Sequence, residues 1–196
     1  MKVKITGLFF IIAIIFLVLA CSDDKKEETE VTPPPQGVAV MDITIKGDDM
    51  AKNLGNDWGG DVDNGGSSGA TIDYLLEYPD GLELKTVILF VGINNLGNNE
   101  SAEEIIPKYI KLYSSLNAER IFCVGVPPVY GDAPYDSTLW MNIWKLNDAI
   151  KVICSESNYI DTWNITFTST DKIHPDAAMN ALIKDKITEL DATVAN

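Results

Sequence analysis

The chain has 196 residues and a formal net charge of −14, with 29 acidic residues against 15 basic ones. This length is enough for one domain with a sizeable core. The negative charge makes nucleic acids and anionic membrane surfaces poor partners and disfavours polyanionic substrates, so we expect no nucleic-acid function.

The N-terminal segment predicts export and lipid attachment. Lys2 and Lys4 precede an apolar run of 14 residues, Gly7–Ala20. A membrane span needs about 20 residues, so residues 1–20 are predicted to be a signal peptide. The run ends in LVLAC, which resembles a bacterial lipobox and predicts that Cys21 is lipidated. The alternatives are an ordinary secretory signal with an incidental cysteine and an uncleaved anchor.

Residues 21–37 are predicted to be the lipidated cysteine followed by a disordered tether. The stretch SDDKKEETEVTPPPQG is charged and then proline-rich, so it cannot bury enough apolar surface to fold. Residues 38–196 form the predicted folded domain. The chain is therefore expected in the bacterial cell envelope, extracytoplasmic and held at the membrane by the lipid on Cys21.

The folded domain begins with alternating elements. The predicted order is a buried strand at 38–45, a loop rich in Gly, Asn and Asp at 55–69 with a short strand at 61–63, a helix at 71–78 closed by a turn at 79–81, and a strand at 85–92. The strand at 85–92 is a near-continuous apolar run, which is typical of a parallel strand buried on both faces.

The second half continues the alternation. Ser101 and Glu104 form a capping box that predicts the start of a helix over 101–117. The remaining elements are a strand at 120–126, a helix at 139–155, a strand at 159–163 and a helix at 175–192, with Pro175 in the favoured first helical position. The alternation predicts an α/β three-layer sandwich, an open parallel five-stranded sheet with helices on both faces.

Polar motifs follow four of the predicted strands, at the edge where sites of such sheets form. They are Gly47-Asp48-Asp49, NGGSSGAT at 64–71, Gly92-Ile93-Asn94-Asn95, and TSTDKIHPDA at 168–177, which holds the only histidine of the chain. Each motif alone has a structural explanation as a helix cap, a turn glycine, a loop amide or a structural histidine. Together, at one edge, they predict a site.

These four motifs resemble the signature blocks of the SGNH, or GDSL-type, hydrolases, which have a flavodoxin-like fold. The blocks match Gly47-Asp48-Asp49, Gly69, Gly92-Ile93-Asn94-Asn95 and, in full, Asp171-Lys172-Ile173-His174-Pro175. The resemblance covers residues 38 to about 192. It implies that His174 is the general base, that Asp171 orients it, and that Asn94 and the Gly69 N–H bind an oxyanion.

One residue departs from the family pattern, because the nucleophile position holds Asp49 in place of serine. A carboxylate attacking an ester gives an intermediate that expels the carboxylate again, so serine-type ester hydrolysis is expected to be impaired. The chain is then expected to bind a small acylated or glycan ligand. The catalytic alternative is an active hydrolase that uses Asp49, His174 and Asp171 on small acyl or acetyl-glycan esters.

Other chemistry and other roles stay open. Asp49 could act as a carboxylate nucleophile that displaces halide or opens an epoxide, or it could activate water together with His174. Ser67 or Ser68 could replace it as nucleophile. The last alternative is a non-catalytic structural protein of the envelope.

Several further expectations concern ligands and cysteines. Trp58, Tyr130 and Tyr135 are weak candidates for ligand stacking, with loop packing as the alternative. No metal and no cofactor are expected, because no recognised ligand spacing is present. The envelope would permit a disulfide between Cys123 and Cys154. Because one lies in a predicted strand and the other in a predicted helix, two separate buried thiols are the expectation.

Overall fold

The computed structural model describes residues 43–60, 62–77, 84–128, 137–166, 168–169, 171 and 173–194. The expectations for the signal peptide at 1–20, the tether at 21–37 with Cys21, and the turn at 79–81 lie outside these residues. Within the described ranges, no helix is long and apolar enough to cross a membrane.

A five-stranded parallel sheet forms the centre of the domain. Its strands are β1 (Ile43–Gly47), β2 (Asp63–Gly66), β3 (Leu84–Phe90), β4 (Ala118–Val124) and β5 (Tyr159–Ile160). They lie in the order β2-β1-β3-β4-β5, and all four pairings are parallel. The predicted parallel five-stranded α/β sheet is therefore confirmed.

Helices cover both faces of this sheet. They are α1 (Asp49–Trp58), α2 (Ile72–Glu77), α3 (Ile93–Gly97), α4 (Ala102–Ser115), α5 (Ser137–Cys154) and α6 (Ala177–Val194), with 3-10 turns at Glu156–Asn158 and Thr162–Asn164. Crossovers between parallel strands are right-handed, so the strand order places α1 on one face and α2, α4 and α5 on the other. Because α6 packs against α1, whereas α2 and α5 pack against α4, the domain has three layers.

The core lies under the carboxyl halves of the central strands. β3 and β4 each have a half-buried first half, and each buries all of its last four residues, at 87–90 and 121–124. This burial on both faces explains why these strands read as apolar runs in the sequence. The sheet is thus most firmly packed at the edge where the polar motifs leave it.

The start of α4 follows the predicted capping box. The Ser101 Oγ accepts a hydrogen bond from the Glu104 N–H at 3.4 Å, and the Glu104 carboxylate accepts one from the Ser101 N–H at 2.8 Å. The helix accordingly begins at the next residue, Ala102. The prediction of this boundary is confirmed.

The second strand lies later than predicted, at Asp63–Gly66 instead of 61–63. Its glycines suggest a loop, but Gly66 serves close packing against α1. A Cβ on Gly66 would lie only 2.2 Å from the Lys52 backbone nitrogen. Glycine in a strand commonly marks such a close approach of another backbone.

Two helix boundaries also differ from the predictions. α1 continues through Gly55 to Trp58, where a loop had been predicted. The last helix begins at Ala177 instead of Pro175. Asp176 caps it, because its Oδ1 accepts from the N–H groups of Ala178 and Met179, both at 3.1 Å.

The expectation of two separate thiols is wrong. Cys123 in β4 and Cys154 at the end of α5 form a disulfide, with their Cα atoms 6.1 Å apart. Both side chains are buried between the sheet and α5. The sequence separates them by 31 positions, and only the folded packing of α5 against β4 brings them within bridging distance.

Candidate active site

A glycine turn joins β1 to α1 and presents Asp49 at the carboxyl edge of the sheet. Gly47 has a φ of +151°, and a Cβ at this position would overlap the Phe90 carbonyl oxygen of β3. The Asp48 N–H donates to that same oxygen at 3.2 Å. Only glycine fits here, so the turn is held tightly against β3 and fixes where α1 begins.

Asp48 is the buried cap of α1. Its side chain is fully buried, and its Oδ1 accepts a hydrogen bond from the Met50 N–H at 2.9 Å. Among the described residues, its Oδ2 has no partner. Burial raises the pKa of Asp48 to about 7; the hydrogen bond from Met50 opposes this rise and the charge of Asp49 adds to it.

Asp49, the first residue of α1, is half-buried and is held by two donors on one oxygen. Its Oδ2 accepts from the Gly69 N–H at 2.8 Å and from the Asn94 Nδ2 at 3.2 Å. Partial burial works against ionisation. The hydrogen bonds from Gly69, Asn94 and Ser68 and the charge of His174 outweigh it and hold the pKa of Asp49 below its ordinary value. Asp49 is therefore a carboxylate at neutral pH.

The two donors come from loops that follow other strands. Gly69 follows β2 and has a φ of +73°, a conformation that glycine adopts readily. Asn94 lies in α3, directly after β3, and its Nδ2 also donates to the Ala70 carbonyl at 3.1 Å. This shared amide ties the β2 loop to the β3 loop, so both donors are fixed relative to Asp49.

His174 and Asp171 form a hydrogen-bonded pair in the loop before α6. The His174 Nδ1 lies 2.6 Å from the Asp171 Oδ2, and the Asp171 Oδ1 accepts from the backbone N–H groups of Ile173 and His174. The bond with the His174 side chain, followed by these backbone bonds, holds the pKa of Asp171 well below its ordinary range. Since Asp171 engages Nδ1, the other ring nitrogen, Nε2, is the one left for chemistry.

The other residues singled out in the sequence are Trp58, Tyr130, Tyr135 and Asn95. The expectation that Trp58 stacks on a ligand is wrong, because its side chain lies in the core and is only 6% exposed. Tyr130 and Tyr135 lie outside the described residues. Asn95, next to the donor amide, is fully buried and bonded to Ile72 and Glu100, which explains its place in the motif structurally.

Sequence reasoning missed Lys52. Its Nζ lies 3.1 Å from the Ser68 Oγ, and Ser68 lies beside Asp49. The only signal in the sequence is that Lys52 follows Asp49 by three positions on α1, which places both on the same side of that helix. Within the described part of the chain, no three His, Cys, Asp or Glu side chains lie close enough together to hold a metal ion.

The structure thus brings together Asp49, Gly69, Asn94, His174 and Asp171 at one edge of the sheet. The two donors that the family resemblance assigns to a substrate oxyanion instead hold a carboxylate of the protein. The catalytic and oxyanion-binding roles of these five residues stay predictions. In this arrangement the Asp49 Oδ2 occupies the two donors that the family resemblance would assign to a substrate oxygen.

A comparison with protein families gives a match over most of the chain. The model described as the GDSL-like lipase/acylhydrolase family matches residues 44–182. This range contains all four polar motifs. No curated protein matches the chain.

Solved structures share the fold at low sequence identity. A carbohydrate acetylesterase, Est24 from Sinorhizobium meliloti, is 16% identical with a TM-score of 0.58, covering 79% of this chain and 99% of its own. An aryl esterase from M. smegmatis is 17% identical with a TM-score of 0.57, covering 78% and 97%. A lipase/acylhydrolase from Enterococcus faecalis is 13% identical with a TM-score of 0.63, covering 78% and 96%.

Proposed function

Because the chain belongs to the GDSL-like lipase/acylhydrolase family, we propose that it is a lipid-anchored, extracytoplasmic member whose site does not hydrolyse acyl esters by the serine route. One observation carries this proposal. The Gly69 N–H and the Asn94 amide, the donors that would stabilise a substrate oxyanion, both bind the Asp49 Oδ2. An ester carbonyl therefore finds neither a serine at position 49 nor vacant donors.

The chemistry of the carboxylate supports the same conclusion. If the Asp49 carboxylate attacked an ester, the tetrahedral intermediate would expel the carboxylate, which is a better leaving group than an alkoxide. In a serine hydrolase, loss of the nucleophile costs about 10⁶-fold in kcat, and about 10³–10⁴-fold over water remains from binding and the oxyanion hole. Here the residual rate enhancement over water is expected to be smaller still, because the Asp49 Oδ2 occupies the oxyanion donors.

The proposed location has two supports. The sequence of residues 1–37 has the order of a signal, a lipobox cysteine and a tether, so we place the domain outside the cytoplasm, linked to the membrane through Cys21. The disulfide between Cys123 and Cys154 agrees with this location, because such bonds persist mainly in oxidising compartments.

We propose a small neutral ligand, an acylated compound or a glycan, for this site. A net charge of −14 disfavours polyanions. One structurally similar protein is a carbohydrate acetylesterase, and the proposal extends its ligand class to this chain as a bound ligand. No nucleic-acid partner is proposed.

Restoring the serine tests the proposal. The full chain in detergent is assayed with an aryl acetate as the parent, as Asp49→Ser, and as Asp49→Ser with His174→Ala. We expect only Asp49→Ser to be active, by at least about 10³-fold over the parent, since serine would vacate the donors and find His174 in place.

Asp185→Ser serves as the matched control, because it makes the same change at an exposed position of α6. We expect it to behave like the parent. If the parent itself hydrolyses the acetate and loses that activity with His174→Ala, Asp49 is a working group in ester hydrolysis and the proposal is wrong.

A further inference from the structure

We propose that Asp49 is a nucleophile toward saturated carbon: its Oδ1 displaces an anionic leaving group, such as halide, from an alkyl compound, and His174 then directs water to the resulting alkyl ester. This activity goes beyond the proposed function, which concerns acyl esters. The two share one premise, that Asp49 occupies the oxyanion donors.

The hydrogen bonds make the two oxygens of Asp49 unequal. Both Gly69 and Asn94 donate to Oδ2, and neither donates to Oδ1. The carboxylate is only half-buried, so a small molecule can reach it. Its lowered pKa keeps it ionised at neutral pH. The Gly69 and Asn94 donors fix Oδ2 and leave Oδ1 outside their hydrogen bonds.

The first step balances as a displacement. A lone pair of the Asp49 Oδ1 forms a bond to the alkyl carbon, while the bond from carbon to the leaving group breaks and that group departs with the electron pair as an anion. No tetrahedral intermediate forms at saturated carbon, so the carboxylate is not expelled as it is from an ester. Carboxylates serve as nucleophiles where the leaving group suits them.

Lys52 supplies a positive charge near Ser68. The Lys52 ammonium group lies 3.1 Å from the Ser68 Oγ, and Ser68 is in turn close enough to Asp49 to lower its pKa. This charge adds to the local field in favour of an anion. The anionic leaving group itself follows from the displacement, in which that group departs with the electron pair.

The second step is hydrolysis of the alkyl ester. In it the Gly69 and Asn94 donors stabilise the oxyanion that forms on the Asp49 Oδ2. Water attacks the Asp49 Cγ and gives its proton to the His174 Nε2, while Asp171 holds Nδ1 at 2.6 Å. The Oδ2 becomes an oxyanion that already accepts from Gly69 and Asn94. Collapse breaks the bond from Cγ to Oδ1, and the alcohol leaves with the proton from His174. The sum is alkyl halide plus water to alcohol, halide and a proton.

Trapping the alkyl ester tests the proposal. The full chain with His174→Ala lacks the base for the second step, so 1-bromohexane is expected to add one hexyl group at Asp49, seen by intact mass and peptide mapping. Adding Asp49→Asn should abolish this mass. Adding Asp185→Asn, which changes an exposed carboxylate in the same way, should leave it unchanged.

Labelling the parent protein keeps the test independent of any variant. In H₂¹⁸O, turnover of 1-bromohexane should release bromide and place ¹⁸O in the Asp49 peptide, because water attacks the carboxyl carbon and not the alkyl group. Absence of both the hexyl adduct and the ¹⁸O label overturns the proposal. That failure differs from failure of the proposed function, which appears as hydrolysis of the aryl acetate by the parent.

Discussion

At the scale of single residues, two neighbouring carboxylates have opposite environments. Asp48 is fully buried with one unpartnered oxygen, and its pKa rises to about 7. Asp49 is half-buried and accepts two hydrogen bonds on one oxygen, and its pKa falls. One position along the chain thus separates a buried group that caps a helix from a group that the Gly69 N–H and the Asn94 amide hold at the carboxyl edge of the sheet.

The raised pKa of Asp48 predicts a pH dependence of stability. Between its ordinary value of 3.8 and about 7, the folded chain holds one proton more than the unfolded chain. The free energy of unfolding therefore falls as pH rises through this window, by up to about 1.4 kcal/mol per pH unit. Above the window the loss is complete.

Asp48→Asn removes this proton while keeping the acceptor for the Met50 N–H. We expect the stability of the variant relative to the parent to increase between about pH 4 and 7, as measured by urea denaturation at several pH values. Asp185→Asn is the control and should keep the slope of the parent. Parallel curves for Asp48→Asn and the parent would refute the assignment.

At the scale of elements, the sequence predicts strands and capped helices well and glycine-rich segments poorly. The apolar run of β3 and the capping box of α4 depend on local pattern, and both are confirmed. β2 and the middle of α1 contain glycines whose role is close packing between them, which no local rule reveals. The predicted start at Pro175 differs from the observed one because the Asp176 side chain caps α6, and this contact is seen only in the structure.

The capping box of α4 gives a test at this scale. Ser101→Ala removes the acceptor of the Glu104 N–H and should lower the free energy of unfolding by about 1 kcal/mol. Ser114→Ala, an exposed position on the same helix, should change it little. Urea denaturation compares the two, and equal effects would show that the cap contributes nothing.

The site shows the same division between what sequence can and cannot predict. The motifs that follow the strands identify Asp49, Asn94 and His174, because parallel strands bring their carboxyl ends to one edge. Which oxygen of Asp49 accepts the hydrogen bonds depends on side-chain geometry, and the sequence does not show that geometry. The burial of Trp58 likewise follows from the unexpected length of α1.

At the scale of the whole molecule, one covalent link joins the sheet to a helical layer. The disulfide connects β4 to the end of α5 across 31 positions of sequence. Closing a loop of this length restricts the unfolded chain and contributes about 3–4 kcal/mol in the chain-entropy account.

The double variant Cys123→Ala with Cys154→Ala is expected to lose about 3 kcal/mol of unfolding free energy, as measured by urea denaturation without reductant. A reductant should lower the stability of the parent by a similar amount and should not affect the double variant. A parent that is equally stable oxidised and reduced would contradict this expectation.

The two hydrogen bonds that Asp49 accepts affect how the site responds to inhibitors that mimic an oxyanion. A carboxylate tethered to the backbone competes at a fixed effective concentration that no dissolved ligand easily exceeds. Boronates and phosphonates, which mimic a tetrahedral oxyanion, must first displace the Oδ2 from the Gly69 N–H and the Asn94 amide. A survey of GDSL-like hydrolases with such probes would pass over this protein while labelling its serine-bearing relatives.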